Sequence, residues 1–527
     1  MMKYFTLVTL LLLLVLPANK PEASASSGAP GKNPNEISAS LQSGLDLLYN
    51  LNLPAAHAIS DSLIVNHPGE PVGYLLKGLI CFYEHACGLP RAGLEKEIIA
   101  YNQKTVTLAL AGGLNSRKRS DLLFYMGAAY STLALFYGSE NNWVKALPYA
   151  RRAKKLHTEV IRADSTYYDA YLVPGLYNYY GDSLPKLLDL VSGLVGFKGD
   201  ARRGLAQLEM AYSNGTLSKV EAATFLGTFF AEQGNYEKAL AIYQQLADRY
   251  PDNPYFSIYK ARTRFLLAEY AEAKTELELA LRACRQEHRQ ARSLVRYYLG
   301  RCAMLRNDFS AAQTSLEQVI ALGKNSERIE LHDGWLTGDA YFYLAECEEF
   351  LGKPDSAKYY YQLAAQAKFA SKGVVNGSKN RIQTPRSGME LAVVRRSNRL
   401  LWQPDEKKLA AYSAFRDSVL HVDPANPFLH LIDYNLGLAN FRLHRYAPAI
   451  EWLNRAVQGS STRNQKTWIE LSAHTYLAAC FLQLAESGKA EGHLRKALEG
   501  TGKGKDARLS FLARKLKGYL PHDKPNP

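Results

Sequence analysis

Beyond its first residues the chain has no apolar run approaching the roughly 20 residues that a helix needs to cross a bilayer, so no transmembrane span is expected in the mature chain. Strand-like alternation of apolar and polar residues is almost absent, which leaves little room for a sheet. Three motifs that carry chemistry are missing: H-E-x-x-H, G-x-S-x-G and G-x-x-x-x-G-K-S/T. Their absence removes the zinc-peptidase, serine-hydrolase and phosphate-loop readings. The 12 histidines stand singly, and Gly193, Gly196 and Gly199 follow a helical segment, not the strand that a dinucleotide site requires. No cofactor and no metal are expected, and the chain reads as a non-enzyme.

What is present bounds the rest. A chain of 527 residues that is 47% apolar and 22% charged buries a large core. Single cores stop growing near about 250–300 residues, so the chain is either several domains or an array that extends in one direction. Met1, Met2 and Lys3 precede an apolar run from Tyr4 to Leu16, followed by Pro17 and then Ala23-Ser24-Ala25. That order is the order of an export signal, so residues 1–25 are expected to be a signal peptide cleaved after Ala25, with the protein in the periplasm or secreted. No Cys follows the apolar run, which disfavours a lipid anchor. Loss of Lys3, Lys20 and Glu22 takes the formal charge from +14 to +13. Such basicity favours anionic partners, and export disfavours nucleic acid among them.

Internal periodicity decides the architecture. The segment GTFFAEQGNYEKALAIYQQLADRYPDNP places Gly227, Ala239, Tyr243, Leu246 and Pro251 where a two-helix repeat needs small residues at the close approach and large ones between. The pattern returns 34 residues on at Ala261, Ala273, Leu277 and Ala280. It continues at Gly300, Ala312 and Leu316, at Ala345, Ala357 and Tyr361, at Gly437, Ala449 and Leu453, and at Ala478, Ala490 and Leu494. Gly44, Ala56 and Leu63 hold the register near the start, and Gly127, Ala146 and Ala153 form a unit with a longer first turn. About nine units follow, some degenerate. The chain resembles the tetratricopeptide repeat superfamily over most of residues 40–500, which implies an all-α, right-handed solenoid of antiparallel helix pairs and a role in holding a protein or peptide. From Gly175 to Ala211 the run GLYNYYGDSLPKLLDLVSGLVGFKGDARRGLAQLEMA is similar to the inclusion-body-clearance and tetratricopeptide-39-like proteins, with Leu184-Pro185 leading into Gly196-Phe197-Lys198-Gly199-Asp200.

Breakers and composition set the boundaries. Residues 26–36 read as a flexible leader, 37–370 as a first array with an insertion at 181–203, 371–388 as a loop or hinge, 389–499 as a second set of repeats and 500–527 as a basic tail. The insertion sets Leu187, Leu188, Leu190, Val191, Leu194 and Val195 along one side of a helix, which either packs on its neighbour or lies in a membrane surface.

Candidate contact residues come from the same register. The groove-facing positions hold Arg262, Tyr297, Arg301, Phe342 and Tyr434, together with Ile258, Glu346 and Leu438. Aromatics beside Arg suit a peptide-binding surface, because both give large contact area at low entropic cost. The Lys and Asn of a carboxylate clamp for chaperone tails are not at these positions. Arg282, Arg285, Arg289, Arg292 and Arg296 are spaced for one face of a continuous helix. They form either a solvated face or a ridge for an anionic polymer or membrane surface. Cys302, Cys347 and Cys480 share one repeat position and are expected as core residues, whereas Cys81 and Cys87 either pair, hold a metal with His85, or pack.

Overall fold

The computed structural model describes residues 34–89, 91–112, 119–181, 200–232, 235–324, 327–460 and 468–499. Among them are 23 α-helices, packed in consecutive pairs. The first eight pairs are α1 (Pro34–Tyr49) with α2 (Leu53–Asn66), α3 (Pro71–Ala86) with α4 (Leu94–Ala111), α5 (Arg119–Ser139) with α6 (Trp143–Ala163), α7 (Leu172–Gly181) with α8 (Ala201–Asn214), α9 (Lys219–Glu232) with α10 (Tyr236–Arg249), α11 (Pro254–Leu266) with α12 (Tyr270–Ala283), α13 (Arg289–Leu305) with α14 (Phe309–Lys324), and α15 (Glu327–Phe350) with α16 (Pro354–Gln366). Then come α17 (Lys372–Gln383), α18 (Gly388–Trp402), α19 (Glu406–Val422), and the pairs α20 (Leu429–Arg442) with α21 (Tyr446–Ser460) and α22 (Trp468–Gln483) with α23 (Ser487–Glu499). The expected signal peptide and basic tail lie outside the described residues, as do residues 182–199 of the expected insertion at 181–203.

One turn recurs inside the pairs. Leu51, Asn141, Ala268, Asn307, Gly352, His444 and Ala485 each take a left-handed conformation. The next residue's N–H then reaches back five residues, for example from Asn142 to the Tyr137 carbonyl (2.8 Å), from Glu269 to Arg264 (2.9 Å) and from Arg445 to Asn440 (2.9 Å). This satisfies a carbonyl at the end of the first helix and fixes the angle at which the second folds back. Six of the seven residues are not glycine, so each turn holds strain on the order of 1 kcal/mol that the packing of the pair offsets.

Between the helices of a pair, the small residue at the eighth position meets the large one of the second helix. A methyl on Gly227 would sit 2.8 Å from the Tyr243 ring, and one on Gly437 would sit 2.6 Å from Leu453. Cys302, Cys347 and Cys480, each two residues after the small residue at the eighth position, are fully buried as small core residues. All six cysteines are free, and the described residues hold no His, Cys, Asp and Glu group suited to a metal.

The array also curls until its first pair meets its fifth and sixth. The Tyr49 hydroxyl donates to Glu221 and sits 3.3 Å from the Leu217 carbonyl, and its ring packs edge-on against Tyr250 at 5.7 Å. Asn253 donates to the Tyr49 carbonyl (2.7 Å), and Tyr250 donates to Asp46 (2.7 Å). Asp169 accepts from the N–H groups of Thr216, Leu217 and Ser218 and from the Ser218 hydroxyl, so one buried carboxylate caps the entry to α9.

Two expected boundaries are corrected. Residues 371–388 are not a loop: Ser371 caps α17 by accepting from the Val374 N–H, and Ser387 caps α18 by accepting from the Glu390 N–H. Of the glycines that read as breakers, Gly377 serves a close contact, since a methyl on it would lie 3.1 Å from Phe342. The leader is shorter than 26–36, because α1 begins at Pro34, and proline is well suited to a first helical position.

Candidate functional site

Helices α11, α13 and α15 are the first members of successive pairs, and their one-turn offsets bring a strip of rings and cations together. Tyr243 and Tyr259 lie 5.3 Å apart, Phe265 and Tyr298 5.8 Å, and Tyr297 and Tyr343 6.1 Å. Arg262 stands among Tyr298, Tyr243 and Tyr259. The Arg301 guanidinium lies 4.0 Å from the centre of the Tyr343 ring and 5.4 Å from that of Phe265, and it donates to the Tyr297 hydroxyl at 3.2 Å. Both arginines are half-buried, and neither has a carboxylate within ion-pair distance among the described residues. Cations over ring faces in a partly dry site gain about 0.5–2 kcal/mol from the ring quadrupole, which holds the guanidinium in place while leaving its remaining donors unused.

A carboxyl lies under the same strip. Asp339 accepts from the Tyr297 hydroxyl at 3.2 Å. Burial pushes its pKa up to about 6, against the lowering effect of that hydrogen bond and of Arg301. The inner surface therefore carries two fixed cations, phenol edges and one carboxyl that titrates near neutrality.

Of the residues expected from the register, Arg262 and Arg301 are half-buried beside these rings. Tyr297 is only 3% exposed, and its hydroxyl serves Asp339 and Arg301, so it supports the strip without lining it. Ile258 is buried, and Phe342 is covered by α17 and by the Tyr361 ring. Tyr434 belongs to a separate core with Leu453 and Leu477 and does not join the others. Glu346 is taken by Arg386. The rings that do matter, Tyr298, Phe265 and Tyr343, sit one residue from or one turn away from the expected positions. Their signal was the doublet Tyr297-Tyr298, of which Tyr297 is buried and Tyr298 half-buried, and the pair Phe342-Tyr343, in which both rings are half-buried.

The Arg ridge is overturned. α12 ends at Ala283 and α13 starts at Arg289. Between them the Arg285 N–H donates to the His288 imidazole (3.3 Å), a turn made without Gly or Pro. Arg282 and Arg285 are thereby separated from Arg289, Arg292 and Arg296, which alone share a face of α13. Among the described residues no helix is long and apolar enough to cross a membrane.

Helix pairs closed by one recurrent turn make an all-α solenoid of the tetratricopeptide-repeat type. More particularly, residues 184–329 match the family Iml2/Tetratricopeptide repeat protein 39, and residues 339–366 match the family Tetratricopeptide repeat. Among solved structures, the chain is similar to the anaphase-promoting-complex hetero-tetramer Cut9–Hcn1, with 15% identity over 92% of this chain and 96% of that one and a TM-score of 0.28. Yeast Tom70 matches at 12% identity over 87% of this chain and 92% of that one, with a TM-score of 0.31. The C-terminal part of a repeat-containing protein from Cytophaga hutchinsonii matches at 14% identity over 55% of this chain and 98% of that one, with a TM-score of 0.28.

Proposed function

We propose that this protein is an exported, non-enzymatic adaptor that holds a segment of a partner protein against the inner surface of its repeats, anchored at Arg262 and Arg301. The observation that carries the reading is the pair of half-buried guanidiniums with unused donors, each set among aromatic rings. The surrounding rings favour the charged form of both guanidiniums, and a partner's acidic side chain meets their remaining donors through charge-assisted hydrogen bonds. Tetratricopeptide-repeat proteins typically mediate protein–protein interactions, which agrees with this role.

The test is affinity capture from the native compartment with the full chain and with the double variant Arg262→Glu, Arg301→Glu, after circular dichroism has shown equal helicity. Loss of the captured partner supports the groove, and unchanged recovery removes it. Export is tested separately by N-terminal sequencing of the mature protein. A start at Ser26 supports the signal peptide, and a retained Met1 overturns it.

A further inference from the structure

A second surface lies apart from the groove, on the α5–α6 pair. Tyr130 and Tyr137 are two helical turns apart on α5, which sets them about 10.5 Å apart along the axis. Tyr149 reaches across from α6 into the space between them. Its ring stacks on Tyr130 at 5.8 Å and on Tyr137 at 5.7 Å, the latter within 6° of parallel. The two ends of this three-ring stack are capped by cations: the Arg152 guanidinium lies 5.6 Å from the Tyr130 ring centre and Lys145 lies 5.2 Å from that of Tyr137. The rings are half-buried and both cations are exposed. None of the three hydroxyls hydrogen-bonds to another described residue, which leaves three phenol donors available.

The helix that carries Tyr149 is strongly basic. Helix α6 carries Lys145, Arg151, Arg152, Lys154, Lys155 and Arg162 against a single acid, Glu159. None of these cations has a carboxylate within ion-pair distance among the described residues. Elsewhere in the chain cations do find acids, as half-buried Lys274 finds Glu278 and exposed Arg445 finds Glu406. Lys145 and Arg152 flank the stack, whereas Lys154 turns to the opposite side of α6, over the Tyr177 ring at 3.7 Å.

The geometry also selects the partner. Every ring face in the stack is occupied, the inner ones by each other and the outer ones by Arg152 and Lys145, so no face remains for a nucleobase or a sugar ring to stack on. What is offered is a row of phenol donors between two cations, which fits groups that only accept hydrogen bonds. The 5.7 and 5.8 Å pitch matches the roughly 5–6 Å between side chains one turn apart on a helix, and is shorter than the roughly 6.6 Å between alternate residues of a strand. We propose that the capped tyrosine stack and the basic face of α6 form a docking surface for a Glu- or Asp-rich helical segment of a partner protein. This surface is independent of the groove.

The test uses the full mature chain and a fluorescein-labelled alanine-based helical peptide with Glu at every fourth position, read by anisotropy at low and physiological salt. Binding should weaken several-fold as screening shortens to about 8 Å at 0.15 M. The triple variant Tyr130→Phe, Tyr137→Phe, Tyr149→Phe keeps the rings and removes the donors, and should weaken binding by about tenfold. The variant Lys145→Gln, Arg152→Gln should weaken it similarly and flatten the salt dependence. Unfolding midpoints close to the parent's identify both as surface effects. Binding unchanged in both variants, or no binding by the parent, overturns the proposal. Tighter binding of an oligothymidine or of phosphatidylglycerol vesicles than of the peptide also overturns it, in favour of a nucleic acid or membrane surface. Variants at Arg262 and Arg301 should leave this peptide's affinity unchanged, so the two sites fail or stand separately.

Discussion

From α1 to α15 the helix pairs share one core that runs from Leu41 to Phe350, whereas the last pairs rest on small separate clusters around Ile432, Leu453 and Leu494. The front array also contacts itself between distant pairs, through Tyr49 with Glu221 and Asp46 with Tyr250. The rear block has a different attachment. Its first helix, α18, lies across the turns of the front array. Asn307 donates to the Arg395 carbonyl at 2.8 Å, Asn398 donates to the Met304 carbonyl at 3.0 Å, and Arg395 donates to the Phe350 carbonyl. A continuous apolar core gives the front cooperativity, while α18 meets the edge of that core with Leu391, Val394 and Trp402 and adds directional polar contacts, two of them to carbonyls at the ends of α13 and α15.

The largest test of this difference is Arg386, in the link between α17 and α18. Its guanidinium pairs with Glu346 and Glu349, and all three side chains are at least 87% buried. Replacing Arg386 with Ala leaves two buried carboxylates uncompensated, an expected loss of about 3–5 kcal/mol. Limited proteolysis should then cut the 384–387 link while the front array persists. A loss below about 1 kcal/mol by denaturant titration, or cleavage spread evenly over the chain, would show that the clamp does not hold the two regions together. The triple variant Arg386→Met, Glu346→Gln, Glu349→Gln should recover most of the stability, since it removes charge from both sides.

Glycine gives the next contrast. In the front, a methyl on Gly204 would stand 2.6 Å from the Tyr179 nitrogen and 2.7 Å from the Gly175 carbonyl, both backbone atoms of α7. Gly204→Ala must push two helices apart, and is expected to cost about 1–3 kcal/mol. In the rear, Gly492 is exposed inside α23 with nothing within 4 Å of an added methyl. Gly492→Ala should stabilise by about 0.5–1 kcal/mol through helix propensity alone. Thermal unfolding of the two variants should move in opposite directions, and movement in the same direction would break the contrast.

How far the sequence foretold this follows from what periodicity encodes. The pairing of Gly227 with Tyr243 and of Gly437 with Leu453 was legible, because a small residue at fixed spacing from a large one states a contact within one pair. The αL turns were not, since Leu51 and Ala268 are poor left-handed residues held there by the packing around them. Residues 371–388 misled through Gly373, Gly377 and Gly388, although Ser371 and Ser387 were cap signals three residues ahead of the N–H groups they accept from. The Arg stripe misled for the opposite reason: a turn was built from Cys284 to His288 without any breaker. The meeting of α1 with α9 and α11 joins residues up to 204 apart, and no local pattern reports it. The groove was half legible, because Arg262 and Arg301 follow the repeat register while the rings around them come from the neighbouring helix face.

The smallest expected effect is the pH response, in which the front array carries two opposed groups. His157 is fully buried against Gly127 and edge-on to Phe124, and burial pulls its pKa down to about 3. Between about 6.5 and 3 the unfolded chain binds a proton there that the folded chain refuses, so stability falls as pH falls, with a limiting slope of about 1.4 kcal/mol per unit. Asp339, raised to about 6 by burial, does the reverse. Between about 3.9 and 6 the folded chain keeps a proton that the unfolded chain has released, so its contribution grows as pH falls. From pH 6 to 5 the two largely cancel, and the parent should change by less than about 1 kcal/mol on their account. Asp339→Asn removes the opposing group, so its urea midpoint should drop more steeply than the parent's over that unit, whereas His157→Leu should reverse the slope. If both variants track the parent between pH 6 and 5, neither group is desolvated enough to set the response, and the front array's core is wetter around His157 and Asp339 than its packing implies.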